Sequence, residues 1–404
     1  MKKRILFVDD EANILQGLRR MLHPMRREWD MTFTEDGQAA LEILAQDHFD
    51  VVVSDMRMPG MDGAQLLNHV MTQYPQTVRI ILSGHSDRDI ILGSVGSTHQ
   101  FLAKPCEAEI LKTTVARACT LRDFLADETL KRVVSGMQCL PSLPTLYLEV
   151  VEEAEAPNGS LEKIGKIIER DMAMTAKVLQ LVNSAFFGLR RQVSSPLQAV
   201  SLLGIDTIKA LILSAQVFGH FHLQHTPSFS LHDLWHHSMA IAACTKRIAQ
   251  SENCQRPLMN AMFMAGLLHD VGKLVLAANL PQQYEEALQR MQTEGLADWQ
   301  VEQAVLGTSH AEVGAYLLGL WGLPEPIVEA LAFHHSPSAC TDRSLSPLTT
   351  VHVANGLLHT SGMQDMTAAG AWLDHAYVTQ VGLVDRLPIW REHCDVVLAE
   401  RCRQ

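Results

Sequence analysis

The most informative segment of this chain is Val51-Val52-Val53-Ser54-Asp55-Met56-Arg57-Met58-Pro59-Gly60-Met61-Asp62-Gly63. Its three consecutive valines predict a strand that is buried on both faces of a parallel sheet. The Pro-Gly and Asp-Gly pairs that follow indicate a loop directly after the strand. Asp55 therefore lies at the carboxyl end of a buried strand, where open α/β sheets carry their chemistry. An acidic residue in this place is also a common helix cap, so its role depends on its neighbours in the sheet.

Three further apolar runs predict strands parallel to this one. They cover residues 4–8, 78–82 and 99–103, and helical patterns lie between them. This alternation predicts an α/β doubly wound fold. Because the carboxyl ends of parallel strands share one edge of the sheet, the polar residues that follow the strands are expected to meet there. These residues are Asp9, Asp10, Asp55, Ser83 and Lys104.

This set of residues favours phosphoryl chemistry. Crowded carboxylates repel one another, and a small hard cation such as Mg²⁺ relieves the repulsion and also binds phosphate oxygens. Asp55 would be the nucleophile, because an aspartyl carboxylate accepts a phosphoryl group. Lys104 and the hydroxyl of Ser83 would bind the transferred group and stabilise its charge.

Residues 1 to about 122 resemble the receiver domain of two-component response regulators. The resemblance rests on an acidic pair, a phospho-acceptor with a Met-Pro-Gly-Met-Asp-Gly tail, a hydroxyl residue and a Lys-Pro pair, all in order. In this chain these are Asp9-Asp10, Asp55, Ser83 and Lys104-Pro105. The resemblance implies a flavodoxin-like domain over residues 1–122 that accepts phosphate from a sensor histidine kinase.

The same resemblance assigns roles to individual residues. It implies that Asp10, Asp55 and the backbone carbonyl of Arg57 hold Mg²⁺, with Asp9 acting through water. Ser83 and Phe101 would be the switch pair that reorients on phosphorylation, and they replace the more frequent Thr and Tyr. A receiver domain is a switch, so the remaining question is what it controls.

Composition excludes several kinds of output. The chain has 404 residues, enough for two or three domains, and a net charge of −12. Such a charge argues against a DNA-binding surface, which needs clustered Lys and Arg. The eight cysteines include no Cys-x-x-Cys pair, as expected of a cytoplasmic protein with reduced thiols. No signal peptide is evident, and no uninterrupted apolar run approaches the roughly 18 residues that span a bilayer, so we expect no membrane insertion.

Residues 106 to about 134 have the pattern of one long helix. Two interpretations of its second half are open. Residues 123–136 form either a linker helix that packs on a partner chain, which would make a homodimer, or an ordinary helix end followed by a loop. The segment Pro141-Ser142-Leu143-Pro144 then marks a boundary.

Residues 137–404 have helical periodicity throughout and predict an all-α domain, with two lobes divided near residues 220–232. Histidines recur on four of the predicted helices, and one predicted helix carries His269-Asp270 inside the apolar run 265–274. A buried Asp needs a cation or hydrogen-bond donors. We therefore expect the four helices to converge on one site, where imidazole would suit Fe, Mn, Zn or Ni.

This half of the chain, from about 137 to 360, resembles the HDOD domain, a relative of the HD phosphohydrolases. The resemblance rests on the following segments: 171–184, Phe187-Gly188, 199–204, 235–238, 266–273, 310–314, 321–324, His334-His335 and Ala354-Asn355. Catalytic HD enzymes use a His, a His-Asp pair and a later Asp as metal ligands. By resemblance, the wider candidate metal set is His237, His269, Asp270, His310, His334 and His335.

Two departures from the catalytic pattern affect the functional prediction. Asn355 occupies the position of the later Asp, which removes an anionic ligand, although His352 lies one turn earlier as a substitute. The Gly-Tyr-Pro signature of cyclic di-GMP phosphodiesterases is also absent, because Ser336-Pro337-Ser338 follows His335. We therefore expect a largely non-catalytic HDOD module, with a vestigial Fe, Mn or Zn site, that engages a downstream signalling protein when Asp55 is phosphorylated. The alternative is a phosphorylation-controlled, metal-dependent phosphohydrolase that acts on a nucleotide or cyclic dinucleotide.

Overall fold

The computed structural model describes residues 2–83, 97–124, 159–183, 193–203, 226–359 and 372–401, together with eight single positions between 131 and 156. Some predictions fall outside these residues. They are the helix predicted over 88–95, most of the predicted linker helix 123–136, the helical segment 207–218 and residues 220–225 of the predicted lobe boundary.

The N-terminal part is a five-stranded parallel sheet. Its strands are β1 (Lys3–Val8), β2 (Trp29–Thr34), β3 (Val51–Asp55), β4 (Val78–Ser83) and β5 (Gln100–Ala103). Their order is β2-β1-β3-β4-β5, which confirms the doubly wound prediction. The sequence analysis did not identify β2, because this edge strand mixes polar and apolar residues and most of its side chains are only half-buried.

Four described helices flank the sheet. They are α1 (Ala12–Leu22), α2 (Gly37–Gln46), α3 (Gly63–Gln73) and α4 (Ala108–Phe124). The segment after β3 shows why Asp55 is not a helix cap. Asp62 takes that role, since its side chain accepts from the backbone N–H of Gln65 in a reciprocal capping box. Gly63 packs so closely on the backbone of Asp55 that a Cβ would overlap it.

All elements described after residue 158 are helical, in agreement with the predicted all-α domain. The helices are α5 (Leu161–Ile168), α6 (Met172–Asn183), α7 (Pro196–Leu203), α8 (Leu231–Ser251), α9 (Arg256–Leu268), α10 (Val271–Asn279), α11 (Pro281–Glu294), α12 (Asp298–Leu306), α13 (His310–Leu320), α14 (Glu325–Phe333), α15 (Pro347–His359), α16 (His375–Val381) and α17 (Leu387–Arg401).

The structure corrects the helix that was predicted across His269-Asp270. Helix α9 ends at Leu268, and α10 begins at Val271, so that His269 and Asp270 form the break between them. The break permits Gly272 to pack against the backbone of His310, where any side chain would overlap the carbonyl oxygen. This close approach brings the start of α10 against the start of α13.

Helices α9 and α10 together reach the length and apolarity of a bilayer-spanning segment. This stretch, Arg256–Asn279, has 78% of its most apolar window buried within the protein. The sequence analysis found no apolar run of this length, since His269-Asp270 interrupts it. Such burial is typical of the central helices of a helical domain.

The contact between Gly272 and His310 yields a stability prediction. Replacing Gly272 by Ala would force α10 away from α13, and overpacking of this kind costs about 1–3 kcal/mol. We expect a lower free energy of unfolding in urea denaturation. Gly17→Ala is the matched control, because its Cβ would meet nothing within 4 Å. In that helix the change should stabilise by up to about 1 kcal/mol, and equal stability of the two variants would contradict the packing argument.

Candidate functional sites

The carboxyl edge of the sheet brings together the acidic residues that the sequence analysis singled out. Side-chain oxygens of Asp9, Asp10 and Asp55 lie within 4.8 Å of one another. Lys104, directly after β5, places its Nζ 2.6 Å from Asp55 Oδ1 and 2.7 Å from Asp9 Oδ2. Asp9 and Asp55 are buried, whereas Asp10 faces solvent. The acidic cluster at this sheet edge is thus open to solvent on the side of Asp10.

Burial and charge act in opposite directions on the two central groups. Burial raises the pKa of Asp55, and the hydrogen bond from Lys104 only partly offsets this effect. Burial also tends to lower the pKa of Lys104, but its hydrogen bonds to Asp55 and Asp9 outweigh burial and raise it. Lys104 therefore remains an ammonium, and it is the neutralising charge for two buried carboxylates.

The three remaining residues predicted for this site are Ser83, Phe101 and Arg57. Ser83 is 1% exposed, and its hydroxyl has no hydrogen-bond partner among the described residues. Such an unpaired buried donor is available to a group that enters the site. Phe101 is also buried, on β5, whereas the side chain of Arg57 is exposed. A crowded set of carboxylates beside an open edge fits the oxygen-ligand preference of Mg²⁺.

A second cluster lies in the helical part, around Asp270. One group of potential ligands comprises Asp270, His310, His334 and His335, whose ligand atoms lie within 4.8 Å of one another. His310 Nε2 is 3.1 Å from Asp270 Oδ1 and 3.0 Å from His335 Nε2. The predicted convergence of His-bearing helices is therefore present in the structure.

Asp270 also belongs to a second group, with His237 and His269. Its Oδ2 lies 3.4 Å from His269 Nε2 and 3.8 Å from His237 Nε2. Asp270 is 1% exposed, while the His237 side chain is 26% exposed. The carboxylate of Asp270 is thus shared by two groups of imidazoles, and each group has one partly exposed member, His237 in one and His335 in the other.

The imidazoles are oriented as ligands rather than as donors. His269 and His334 each donate Nδ1–H to a helix carbonyl, that of Gly266 and that of Leu331 respectively, both at 2.8 Å. Each Nε2 is then an unprotonated acceptor that points at Asp270. These two nitrogens are buried without hydrogen-bond partners among the described residues, and Asp270 Oδ1 lies 3.1 Å from His310 Nε2. Unpaired acceptors that face one another are the arrangement a divalent cation satisfies.

Three charged residues support this centre, and the sequence analysis identified only one of them. Lys273, the last residue of the segment 266–273 in the HDOD resemblance, binds Asp270 Oδ2 at 2.9 Å and Asp298 Oδ2 at 2.6 Å. Glu302 is fully buried, and its Oε2 accepts from His310 Nδ1 at 2.6 Å and from the His310 backbone N–H at 2.7 Å. Asp298 and Glu302 lie one turn apart on α12. This spacing was the only feature of the sequence that could have indicated that both belong to the site.

Neighbouring charged groups determine the protonation states of Asp270 and His310. Burial opposes the ionisation of Asp270, but the electrostatic interactions with His269, Lys273 and His310 outweigh burial and hold the pKa of Asp270 well below its usual value. Burial also disfavours the charged form of His310, yet Glu302 and Asp270 raise its pKa to about 10. In the metal-free protein His310 therefore bridges two carboxylates.

The structure shows that His352 is not a substitute ligand, contrary to the sequence-based suggestion. Its Nδ1 donates to the carbonyl of His334 at 2.7 Å, and its Nε2 accepts from the backbone N–H of Asp374 at 2.8 Å. Both ring nitrogens are therefore occupied by backbone. Asn355 on the same helix is buried, and its side-chain oxygen has no partner among the described residues.

A solvent-open cleft of about 300 Å³ leads to this centre. Its lining combines polar and charged side chains with apolar ones such as Phe229, Leu234 and Leu288, which is common in sites for small ligands. The lining residues that reach the cluster are His237, Asp270, Lys273 and Asp298.

Comparison with known families matches both halves of the chain. The family model of the response regulator receiver domain matches residues 5–116, and that of the HDOD domain matches residues 140–337. The chain is a response regulator with a receiver domain and an HDOD domain. The Asp9, Asp10 and Asp55 cluster lies in the receiver domain, and the histidine centre spans the matched HDOD region. The predicted boundaries at residues 122 and 136 remain predictions.

Two curated proteins illustrate the similarity. An uncharacterized protein of Treponema pallidum is 25% identical over 251 residues, which are 62% of this chain and 46% of that protein. The response regulator protein FleR of Pseudomonas aeruginosa is 33% identical over 119 residues, which are 29% of this chain and 24% of that protein. The chain thus spans less than half the length of these curated relatives.

Two solved structures are also similar. The signal receiver domain of an HD domain-containing protein from Pseudomonas fluorescens is 33% identical and covers 30% of this chain and 98% of that one, with a TM-score of 0.29. The MmoQ response regulator from Methylococcus capsulatus is 24% identical and covers 60% of this chain and 97% of that one, with a TM-score of 0.47.

Buried neutral histidines predict acid sensitivity. Burial lowers the pKa of His99, His269, His334 and His352. Below about pH 6.5 the unfolded chain binds protons at these residues and the folded chain does not, so stability is lost as the pH falls. His310 acts oppositely, because its raised pKa provides stabilisation below about pH 6.5 that is lost as the pH rises towards 10.

We therefore expect the metal-free protein to lose stability between pH 7 and pH 5, by up to about 1.4 kcal/mol per pH unit for each neutral histidine. Urea denaturation in the presence of a chelator measures this dependence. His352→Gln should be less stable at pH 7 and should have a shallower pH slope. A stability that stays constant down to pH 5 would disprove the assignment of neutral buried histidines.

Proposed function

We propose that phosphorylation of Asp55 by a sensor histidine kinase controls the HDOD domain of this cytoplasmic response regulator, and that this domain transmits the signal to a downstream signalling protein. The proposal is carried by one observation. A single helix, α13, has His310 of the histidine centre at its first position and contacts the receiver domain in its second half.

The residues of the receiver domain are suited to accept a phosphoryl group. The carboxylate of Asp55 lies at the open edge of the sheet as the nucleophile. Lys104, 2.6 Å away, would move its ion pair to an oxygen of the incoming group, and the unpaired hydroxyl of Ser83 would donate to another. Mg²⁺, held by Asp9, Asp10, Asp55 and the carbonyl of Arg57, supplies further charge neutralisation when bound.

The receiver domain contacts α13 and the loop after it directly. On β5, Gln100 precedes the proposed switch residue Phe101, and its Nε2 donates to the carbonyl of Gly319 at 3.4 Å. On α4, Arg117 donates to the carbonyl of Leu323 at 2.6 Å. A displacement of β5 or α4 would therefore act on the end of α13 without an intervening loop.

A second connection runs through the segment between the domains. Buried Arg79, on β4, donates to the carbonyl of Ser135 at 2.7 Å. The hydroxyl of Ser135 lies 2.7 Å from that of Tyr316 on α13. The guanidinium of Arg79 lies among backbone carbonyls and the ring of His99, and among the described residues it forms no hydrogen bond to a carboxylate. Burial without an acidic partner lowers the pKa of Arg79 to about 9. A guanidinium held in this way fixes the position of the chain segment that it binds.

Hydrogen exchange tests the coupling. Treatment with acetyl phosphate and Mg²⁺ should phosphorylate the wild type at Asp55 and change the exchange of the α13 amides, because Gln100, next to the proposed switch residue Phe101 on β5, contacts this helix. We expect no modification and no change for Asp55→Asn. Mass spectrometry of the intact protein and of its peptides reads out both events.

Tyr316→Phe is the informative variant in this experiment. It removes only the hydroxyl that meets Ser135, so it should be phosphorylated normally but transmit a smaller change to α13. Couplings between domains are typically about 1–3 kcal/mol, and loss of one hydrogen bond of about 1 kcal/mol is a large part of that. Normal phosphorylation of the wild type with unchanged exchange in α13 would refute the proposed route.

A second candidate function follows from the unpaired acceptors around Asp270. We propose that the histidine centre retains a divalent Fe, Mn or Zn ion, with Asp270, His310, His334, His335, His269 and His237 as its ligands. A metal at the end of an open cleft would also allow hydrolysis of a nucleotide or cyclic dinucleotide, since a bound metal activates water.

Metal analysis separates these alternatives. After expression with Fe, Mn or Zn we expect near-stoichiometric metal in the wild type and strongly reduced metal in Asp270→Ala, because Asp270 belongs to both ligand groups. Lys166→Ala, on the exposed face of α5, is the control and should retain the metal. Phosphodiesterase activity that depends on Asp270 would establish the hydrolase, and bound metal without turnover would establish a non-catalytic centre. Metal-free wild type would refute retention.

A further inference from the structure

Glu302 is a buried acidic residue beside the proposed metal centre, in which Asn355 stands in the place of an Asp ligand. Its carboxylate is fully buried, lies on α12 and accepts two hydrogen bonds from His310, one from the ring and one from the backbone. Its other oxygen, Oε1, has no partner among the described residues. Burial of a carboxylate is costly unless a compensating charge is near. The position of Glu302 therefore requires an explanation beyond packing.

Counting the charges around Asp270 provides this explanation. The Asp270, His310, His334 and His335 group has a single carboxylate among its four ligands. Lys273 cancels that charge, and Asp298 in turn cancels the charge of Lys273. With Glu302 included, three carboxylates and one ammonium leave two negative charges, which match one divalent cation. Without Glu302, a buried dication would have one uncompensated positive charge.

The geometry also lets Glu302 act on the ligand itself. Its 2.6 Å bond to His310 Nδ1 fixes the ring so that Nε2 faces Asp270 and His335. A carboxylate on the distal nitrogen of a ligating histidine holds the tautomer and increases the basicity of the ligating nitrogen. Its second bond, to the His310 backbone N–H, fixes the start of α13 as well.

We propose that Glu302 is a positioning residue that supplies, through His310, the negative charge that Asn355 does not provide. The inference rests on the proposed metal centre. Asn355 is buried on α15, which packs on α8, α9 and α14, and these helices carry or immediately precede His237, His269 and His334. Its side-chain oxygen is unpaired. An added charge at position 355 would therefore enter the same core.

The experiment measures the metal dissociation constant of the full-length protein by competition with a chromophoric chelator for Zn²⁺. Glu302→Gln retains the shape of the side chain and a hydrogen-bond acceptor but removes the charge. We expect its affinity to fall about 10–100-fold, the usual effect of losing such a partner. Asn355→Asp in the Glu302→Gln background should recover at least about tenfold of this loss.

Glu312→Gln is the matched control. Glu312 lies on α13 next to the centre, but it accepts from Thr308 and Ser309 rather than from a ligand. Its replacement should leave the affinity within about threefold of the wild type. Far-UV circular dichroism of each variant verifies folding, and a misfolded Glu302→Gln protein is replaced by Glu302→Asp, which keeps the charge and should keep most of the affinity.

Each outcome has a distinct meaning. A Glu302→Gln protein that binds Zn²⁺ as tightly as the wild type overturns the role of Glu302 and leaves the metal centre intact. Failure of Asn355→Asp to restore affinity overturns the charge argument. A wild type that binds no Zn²⁺, Fe²⁺ or Mn²⁺ overturns the metal centre and this inference together.

Discussion

The burial of the Asp270 carboxylate is the constraint on which the organisation of the HDOD domain depends. An isolated charge in a helical core is strongly unfavourable, so the fold must surround it with compensating groups. Because Asp270 lies in the break between α9 and α10, its side chain contacts residues of several surrounding helices. Lys273 and the surrounding imidazoles, including His310 at 3.1 Å, are the groups that make its burial tolerable.

The two candidate sites use the same physical arrangement in different folds. In the receiver domain, Lys104 neutralises two buried carboxylates, and the remaining acidic residue faces solvent. In the HDOD domain, Lys273 bridges the buried carboxylate of Asp270 and the half-buried carboxylate of Asp298. The difference lies in the ligands. Oxygen atoms alone favour a hard, hydrated cation, whereas imidazole nitrogens favour a transition metal.

Helix α13 connects these two sites physically. It is 11 residues long, and at about 1.5 Å per residue roughly 14 Å of helix separate His310 from Gly319, which contacts the receiver domain. A helix of this length moves as a unit, and both of its ends are fixed by buried polar contacts. Helix α13 therefore connects strand β5, which carries Phe101, directly to His310 of the histidine centre. The close packing of Gly272 on the backbone of His310 sets the distance between His310 and Asp270.

The sequence by itself determined the receiver fold, the residues at the sheet edge and the set of histidines, because buried parallel strands and spaced motifs are recognisable from the local pattern of residues. It did not identify β2, whose mixed polar and apolar residues form no such pattern, nor the helix break at His269-Asp270. Only the tertiary structure decided that Glu302 and Asp298 adjoin the centre and that His352 binds backbone instead of metal. These facts depend on which groups meet across helices far apart in the chain, and a one-dimensional pattern does not contain those distances.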